Sequence, residues 1–289
     1  MGPGRPASRT GEIHGGKHFS IAPAPALVSG TRPGPPATTP STDALADRCV
    51  TGIEGLDNIL GGGIPRANMV LVAGGVGTGK TTLCLEFLVR GAERGEKGLF
   101  ISVTEASAKL MQNFSTFEFF HTDLVNNNLV TIVDLPIVYD RLGLNREELK
   151  PGEVDILVRT IQDLVRESGA RRVVVDSLTS VGFRVRSEEK ARDFILKLAQ
   201  AFSELGTTSL MVAEVGAVPG VHSLYGVEEA IVDGVVMLSN VRRRGDMLRV
   251  LQIIKMRGTV HSRAQYVIEL TPIGLLMAPF LKGGRLETA

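Results

Sequence analysis

The sequence predicts an α/β fold in which a mostly parallel sheet is flanked by helices and carries antiparallel strands at its C-terminal end. Two observations lead to this expectation. From Thr51 onward, short runs rich in Val, Ile and Leu alternate with longer segments of helical periodicity, which is the order of strand–helix–strand units. After residue 228, four apolar segments follow one another with only short polar breaks, a pattern typical of an antiparallel addition to a sheet edge. Internal repeats are absent, so we expect a single domain over residues 47–289.

The individual elements follow from these patterns. Short β-branched runs suit parallel strands that are buried on both faces, and they predict strands at 68–73, 98–103, 129–134, 172–176 and 208–213. Helices are predicted at 80–94, 153–168 and 187–205. In the second of these, one apolar face is formed by Val154, Leu157, Ile161, Leu164 and Val165.

Residues 1–46 differ from the rest of the chain. They are rich in Pro, Gly, Ala, Ser and Thr, and their few apolar residues keep no period. Such a segment cannot bury enough surface to offset its ordering entropy, so we expect a disordered tail. Within it, His14 and His18 lie four residues apart, which alone does not predict a metal site.

Composition excludes several classes of protein. The net charge is +1 over 289 residues, which argues against a nucleic-acid or membrane surface. The two cysteines, Cys49 and Cys84, fit neither a metal motif nor a disulfide framework, and a reducing cytoplasm is the simplest setting. No apolar stretch approaches the roughly 20 residues of a membrane span.

The stretch VLVAGGVGTGKTT, from Val70 to Thr82, fits G-x-x-x-x-G-K-[ST] at full spacing. In this pattern glycines let backbone N–H groups point at phosphate oxygens, the lysine reaches the β- and γ-phosphates, and the hydroxyl binds Mg²⁺. A helix that begins near Thr81 adds its positive end to the same site. An ordinary Gly-rich turn is the alternative, and the apolar strand before the loop and the helix after it argue against that. We predict a nucleotide phosphate site at Gly74, Gly75, Val76, Gly77, Thr78, Gly79, Lys80, Thr81 and Thr82.

Two acidic residues at predicted strand ends complete this site. Asp176 ends the run in RRVVVDSLTSV, where an acid can hold the Mg²⁺ that also touches Thr81. Glu105 ends the run in GLFISVTEASAKL, where it can orient or deprotonate an attacking water. A turn or helix cap is the alternative for Asp176, and a first-turn helix glutamate is the alternative for Glu105. We predict Thr81 and Asp176 as magnesium ligands and Glu105 as a catalytic residue.

Five motifs occur together in this chain: the phosphate loop, VTEAS, VVVDSLTSV, YGVEEAIVDGVVML and IIKMRGTVHS. In their order and spacing the sequence resembles the KaiC-type ATPases, a RecA-like family, and the resemblance covers residues 48–280. It implies a RecA-like P-loop core, ATP as the nucleotide, and a homo-oligomer, a hexameric ring with ATP between neighbouring subunits.

The resemblance also gives roles to residues that are uninformative alone. It implies that Lys255 and Arg257 reach the γ-phosphate of the adjacent subunit's ATP and that His261 lies near the same nucleotide. It further implies that Glu214 senses the γ-phosphate from the end of a strand. On the residues alone, the spacing of Lys255 and Arg257 favours a solvated strand edge, and a lone His261 favours a structural role.

Two departures from the family matter. Clock members carry paired glutamates after the second strand, whereas this chain has Thr104-Glu105, and the missing member is the expected base. Where phosphorylated family domains carry hydroxyl residues, this chain has Glu228 and Glu229. We therefore expect slow turnover, and neither autophosphorylation nor a clock function.

These residues and the resemblance leave four functions open. The leading one is a Mg²⁺-dependent, ring-forming ATPase that acts as a slow regulatory switch, with room for a regulatory protein partner. The second is an ATP-gated scaffold with negligible hydrolysis, which Thr104 favours. The third is a DNA-binding recombination accessory protein, but the loop GAVPGVHSLYG has no Lys or Arg and the basic VRRRGDMLR is typical of a solvated hairpin turn. The fourth, a small-molecule kinase, lacks an Arg-rich lid segment.

Overall fold

The protein is described from a computed structural model, which places residues 48–144, 148–185, 187–215 and 228–280. The predicted tail at 1–46, with its histidine pair, lies outside the described residues. So does the loop at 216–226 that the DNA-binding alternative depends on.

Nine strands form one sheet in the described part of the chain, and two short strands pair separately. The sheet order is β11-β10-β9-β8-β3-β7-β6-β4-β5, with β1 beside β2. In chain order the strands are β1 (Arg48–Cys49), β2 (Ile64–Pro65), β3 (Met69–Gly74), β4 (Gly98–Ser102), β5 (Val130–Asp134), β6 (Arg172–Asp176), β7 (Thr208–Glu214), β8 (Gly234–Arg243), β9 (Asp246–Met256), β10 (Gln265–Thr271) and β11 (Gly274–Pro279).

The sheet changes character at β8. From β8 through β3, β7, β6 and β4 to β5, every pair is parallel. From β8 through β9 and β10 to β11, every pair is antiparallel. The mostly parallel sheet with antiparallel C-terminal strands is therefore confirmed, although β8, the first of the four late segments, also belongs to the parallel part.

Helices cover both faces of this sheet. They are α1 (Leu56–Ile59), α2 (Lys80–Ala92), α3 (Ser107–Phe114), α4 (Asp123–Asn126), α5 (Leu135–Leu142), α6 (Pro151–Ser168), α7 (Leu178–Val185), α8 (Glu188–Glu204) and α9 (Glu228–Ile231). Alternate residues of β3 point to opposite faces, so Val70 and Val72 pack with α2 while Leu71 and Ala73 pack with α6 and α8. No helix within the described ranges is long and apolar enough to cross a membrane.

A buried arginine joins three separate parts of the fold. Arg172, at the start of β6, is 1% exposed. Its guanidinium pairs with Glu96 at 2.6 Å and donates to the carbonyls of Phe87 in α2 and Val50 beyond β1, each at 2.8 Å. It also lies over the Phe87 ring, 4.7 Å from its centre. The buried charge is paired with Glu96, and its N–H groups donate to backbone carbonyls, so its burial is compensated. Arg172 therefore holds the segment around Val50 against the sheet.

Candidate functional site

The glycine-rich loop leaves the carboxyl end of β3 and enters α2 at Lys80. Gly77 and Gly79 have φ of 73° and 96°, a left-handed conformation that favours glycine. A Cβ at Gly79 would lie 3.0 Å from Leu270 of β10, and one at Gly74 would collide with the Leu238 carbonyl of β8. The glycines are thus required both by the curl of the loop and by the strands packed behind it.

Lys80 points back into this loop. Its side chain is largely buried, and its Nζ donates to the carbonyls of Gly74 at 2.9 Å and Gly75 at 2.8 Å. Burial lowers the pKa of Lys80, and the charges of Glu214 and Asp176 oppose that shift. The ammonium is therefore held over the loop where an incoming phosphate would lie.

Thr81 and Asp176 meet as the sequence predicts. The Thr81 Oγ1 at the start of α2 donates to Asp176 Oδ2 at 2.7 Å. Burial raises the pKa of Asp176, and the Thr81 hydrogen bond and the Lys80 charge oppose that rise. Thr81 and Asp176 thus offer two oxygen ligands beside the phosphate loop. Mg²⁺ occupies sites of this kind together with phosphate oxygens and waters.

Glu105 follows β4 at the same edge of the sheet. Parallel pairing aligns Ser102 of β4 with Asp176 of β6, and the charge of Glu105 is among those that raise the pKa of Asp176. Its Oε1 accepts a hydrogen bond from Asn113 Nδ2 of α3 at 3.0 Å. The preceding Thr104 is exposed, so the position where the resemblance predicts a first carboxylate opens to solvent.

Glu214 ends β7 directly beside the start of the phosphate loop. Parallel pairing aligns it with Gly74, and its backbone N–H donates to Thr179 Oγ1 of α7 at 2.8 Å. The Glu214 side chain is exposed, and its charge is the largest of those that support the protonated form of Lys80. The structure thus brings Lys80, Thr81, Asp176, Glu105 and Glu214 to one edge of the sheet.

Two residues that hold the loop from behind are missed by sequence reasoning. Arg249 Nε of β9 donates to the Gly77 carbonyl at 3.1 Å, and Asn240 Nδ2 of β8 reaches the Val76 carbonyl at 3.5 Å. The segment VRRRGDMLR does form the predicted hairpin between β8 and β9, but Arg249 is engaged with the phosphate loop. Only the pairing of strands distant in sequence places it there, so no local signal identifies it.

Lys255, Arg257 and His261 do not join this group. Lys255 lies opposite Val235 near the start of β8, and β8 starts beside Val70 at the amino end of β3. The Arg257 carbonyl accepts from Asn68 Nδ2 at 3.4 Å, just before β3. His261 lies in the loop that packs on α1, where Ser262 N–H donates to the Ile59 carbonyl.

The two groups are separated by the length of a strand. Six residues lead from Asn68 to Gly74 at about 3.3 Å each, which gives roughly 20 Å. An arginine side chain is too short to cross that distance. Arg257 and Lys255 therefore cannot serve the phosphate loop of their own chain in this arrangement.

Known proteins match this chain over most of its described residues. The model of the KaiC family of ATPases matches residues 49–279. A UPF0273 protein of Aeropyrum pernix is 34% identical over 238 residues, which cover 81% of this chain and 95% of that relative. A circadian clock protein KaiC3 of Synechocystis sp. is 34% identical over 228 residues, which cover 78% of this chain but 44% of that relative.

A solved structure agrees with the fold. The crystal structure of a KaiC-like protein from Pyrococcus horikoshii superposes with a TM-score of 0.69 at 33% identity. The match covers 80% of this chain and 99% of that protein. The likeness therefore extends over the sheet, its helices and the antiparallel strands.

Proposed function

The chain belongs to the KaiC ATPase family, and on that premise we propose that it is a Mg²⁺-dependent ATPase that works as a slow, ring-forming switch. The observation that carries this proposal is the hydrogen-bonded pair of Thr81 and Asp176 beside the buried ammonium of Lys80. Binding of a magnesium nucleotide requires a phosphate-binding loop and, next to it, oxygen ligands for the cation.

Binding requires an exchange of partners at Lys80. Its Nζ now donates to the Gly74 and Gly75 carbonyls, and the β- and γ-phosphates would take over these hydrogen bonds. When bound, Mg²⁺ neutralises phosphate charge, and Thr81 and Asp176 are the residues placed to hold it. The loop N–H groups at the start of α2 supply further positive potential.

Hydrolysis needs a water positioned at the γ-phosphate and a group that takes its proton. We assign that group to Glu105 and assign Glu214, beside the loop entrance, to sensing the γ-phosphate. Thr104 supplies no second carboxylate, so turnover is expected to be slow.

The positive charge that stabilises the transition state is assigned to a second copy of the chain. Lys255 and Arg257 lie roughly 20 Å from the loop of their own chain, with His261 in the following segment. Val260, 94% exposed, lies between them and His261 and adds apolar surface. ATP held between neighbours, as in a hexameric ring, would bring these cations to it and tie hydrolysis to assembly.

A second candidate is an ATP-gated scaffold that binds nucleotide with negligible hydrolysis. The hydrogen bond between Asn113 and Glu105 favours it, because it orients one oxygen of the remaining carboxylate toward α3. A regulatory protein that reads the ring would fit either candidate.

Steady-state ATP hydrolysis with Mg²⁺, measured together with oligomer size, tests the proposal. We expect wild-type turnover that is lost in Lys80→Ala, Glu105→Gln and Arg257→Ala while assembly persists. Binding and assembly without turnover above the Lys80→Ala background would favour the scaffold. Absence of ATP binding in the wild type would refute both candidates.

A further inference from the structure

Asp233, between α9 and β8, ties Arg257 to the strand that carries the phosphate loop. Its Oδ2 accepts from the Met69 N–H at 3.0 Å and its own N–H donates to the Met69 carbonyl at 2.8 Å. Its Oδ1 accepts from Arg257 Nη1 at 3.2 Å, and its carbonyl accepts from the Arg257 N–H at 2.8 Å. One residue therefore fixes both the backbone and the guanidinium of Arg257 relative to the start of β3.

The guanidinium is held on one side and left open on the other. Besides Asp233, it donates to the carbonyls of Ala230 at 3.2 Å and Ile231 at 3.4 Å at the end of α9. Its side chain nevertheless remains 54% exposed. A planar fork anchored along one edge can present its remaining face to a phosphate without losing all of its side-chain freedom on binding.

Lys255 contrasts with this arrangement. Its Nζ donates to the Val232 carbonyl at 2.6 Å and the Glu229 carbonyl at 2.9 Å. Burial lowers its pKa, and the Arg257 charge lowers it further. The ammonium is thus turned under α9, while the guanidinium of Arg257 faces outward.

We propose that Asp233 is a positioning residue that holds the Arg257 guanidinium in place for the nucleotide of a neighbouring copy. The inference rests on the proposed function and deepens it. Asp233 touches no phosphate; it acts through Arg257. Because the same carboxylate also binds β3, the cation of one site is anchored to the strand that leads to the phosphate loop of the next.

The substitution Asp233→Asn separates these two tasks. An amide has one acceptor oxygen and one NH₂ group, so Asn can still accept from the Met69 N–H but then turns donors toward the guanidinium. We expect kcat to fall by about tenfold or more, since misplacing a positioned group by about 1 Å costs that much. The KM for ATP should stay within about twofold, because the lost interaction belongs to the transition state. Asp246→Asn, the same change at an exposed position of β9, is the matched control.

The double variant Asp233→Asn/Arg257→Ala provides the decisive comparison. If Asp233 acts through Arg257, the double variant keeps the residual rate of Arg257→Ala. A wild-type kcat in Asp233→Asn would overturn the inference. So would an unfolded Asp233→Asn, or a double variant slower than Arg257→Ala, since each would assign Asp233 a purely structural role. If Arg257→Ala itself keeps full activity, the proposed function fails first, so the two failures are distinguishable.

Discussion

At the scale of single residues, the composition of the site follows from motif chemistry. Lys80, Thr81 and Asp176 lie where the spacing of the glycine-rich loop and the strand-end acid predict them, because the motif and the parallel topology together fix their positions. Arg249, Asn240 and Asp233 have no such signal. Asn240 of β8 and Arg249 of β9 contact the phosphate loop, and Asp233 before β8 binds the start of β3. Contacts between segments so distant in sequence are not encoded locally.

Thr104 stands where the resemblance to the family predicts a first glutamate. Thr104 is exposed beside Glu105, so Thr104→Glu would supply the absent carboxylate without filling buried space. We expect kcat to rise by about tenfold or more, since a positioned base contributes about 10²- to 10⁴-fold. Steady-state hydrolysis under saturating ATP and Mg²⁺ measures it. Thr104→Gln has a similar shape without the charge, and equal rates for the two variants would show that position 104 does not limit turnover.

At the scale of elements, the five predicted strands and three predicted helices all form, with ends within two residues of their expected positions. The apolar runs of the strands and the apolar faces of the helices make these elements predictable from sequence. The helices α1, α4 and α9 span four residues each, too short for any period to be read from sequence. The parallel pairing of β8 with β3 also escapes local patterns, because it depends on which edge of the sheet remains open.

The buried contacts of Arg172 are expected to stabilise the folded protein. Arg172→Ala leaves Glu96 paired with Arg66 alone and removes the guanidinium hydrogen bonds to the carbonyls of Phe87 and Val50. Hydrogen bonds to a charged group contribute about 1.5–3 kcal/mol each, and two of them are lost, so we expect the free energy of unfolding to fall by about 3–6 kcal/mol. Urea denaturation measures it. Arg171→Ala, at the exposed neighbouring position, should change little, and equal effects of the two variants would contradict the anchoring role.

A second prediction concerns Glu86 of α2 and the hairpin of β10 and β11. Glu86 is 2% exposed, and its Oε2 accepts from the Leu275 N–H at 2.7 Å. Burial raises its pKa, an effect that the Leu275 N–H and Arg90 oppose. Since the folded state then binds the proton more tightly than the unfolded state, stability falls as pH rises from the unfolded value of about 4.3 through the raised pKa.

Urea denaturation of wild type and Glu86→Gln between about pH 4 and 7 tests this sign. Relative to the glutamine variant, the wild type should lose stability as pH rises. Glu93→Gln, which alters a more exposed partner of Arg90 directly after the same helix, controls for the change of charge. A wild type that instead gains stability over Glu86→Gln with rising pH would contradict the burial argument.

At the scale of the whole molecule, the sheet separates the phosphate loop from the cations that we propose to act on a nucleotide. The phosphate loop, Thr81, Asp176 and Glu105 lie at the carboxyl end of the parallel strands, whereas Arg257 and Lys255 lie at the amino end. On the proposed function, the sites are completed by head-to-tail contact between copies, and such contacts close into a ring when the rotation allows.

Mixing two inactive variants tests this central claim most directly. The Lys80→Ala variant lacks the lysine of the phosphate loop but keeps the Arg257 guanidinium. The Arg257→Ala variant keeps the intact phosphate loop but lacks that guanidinium. In equimolar co-assemblies, about a quarter of the contacts would join an intact loop to an intact cation, so activity should return to about a quarter of the wild-type rate. If co-assemblies of the two variants stay as inactive as the variants alone, the cations do not act across an interface, and the account of a shared site is wrong.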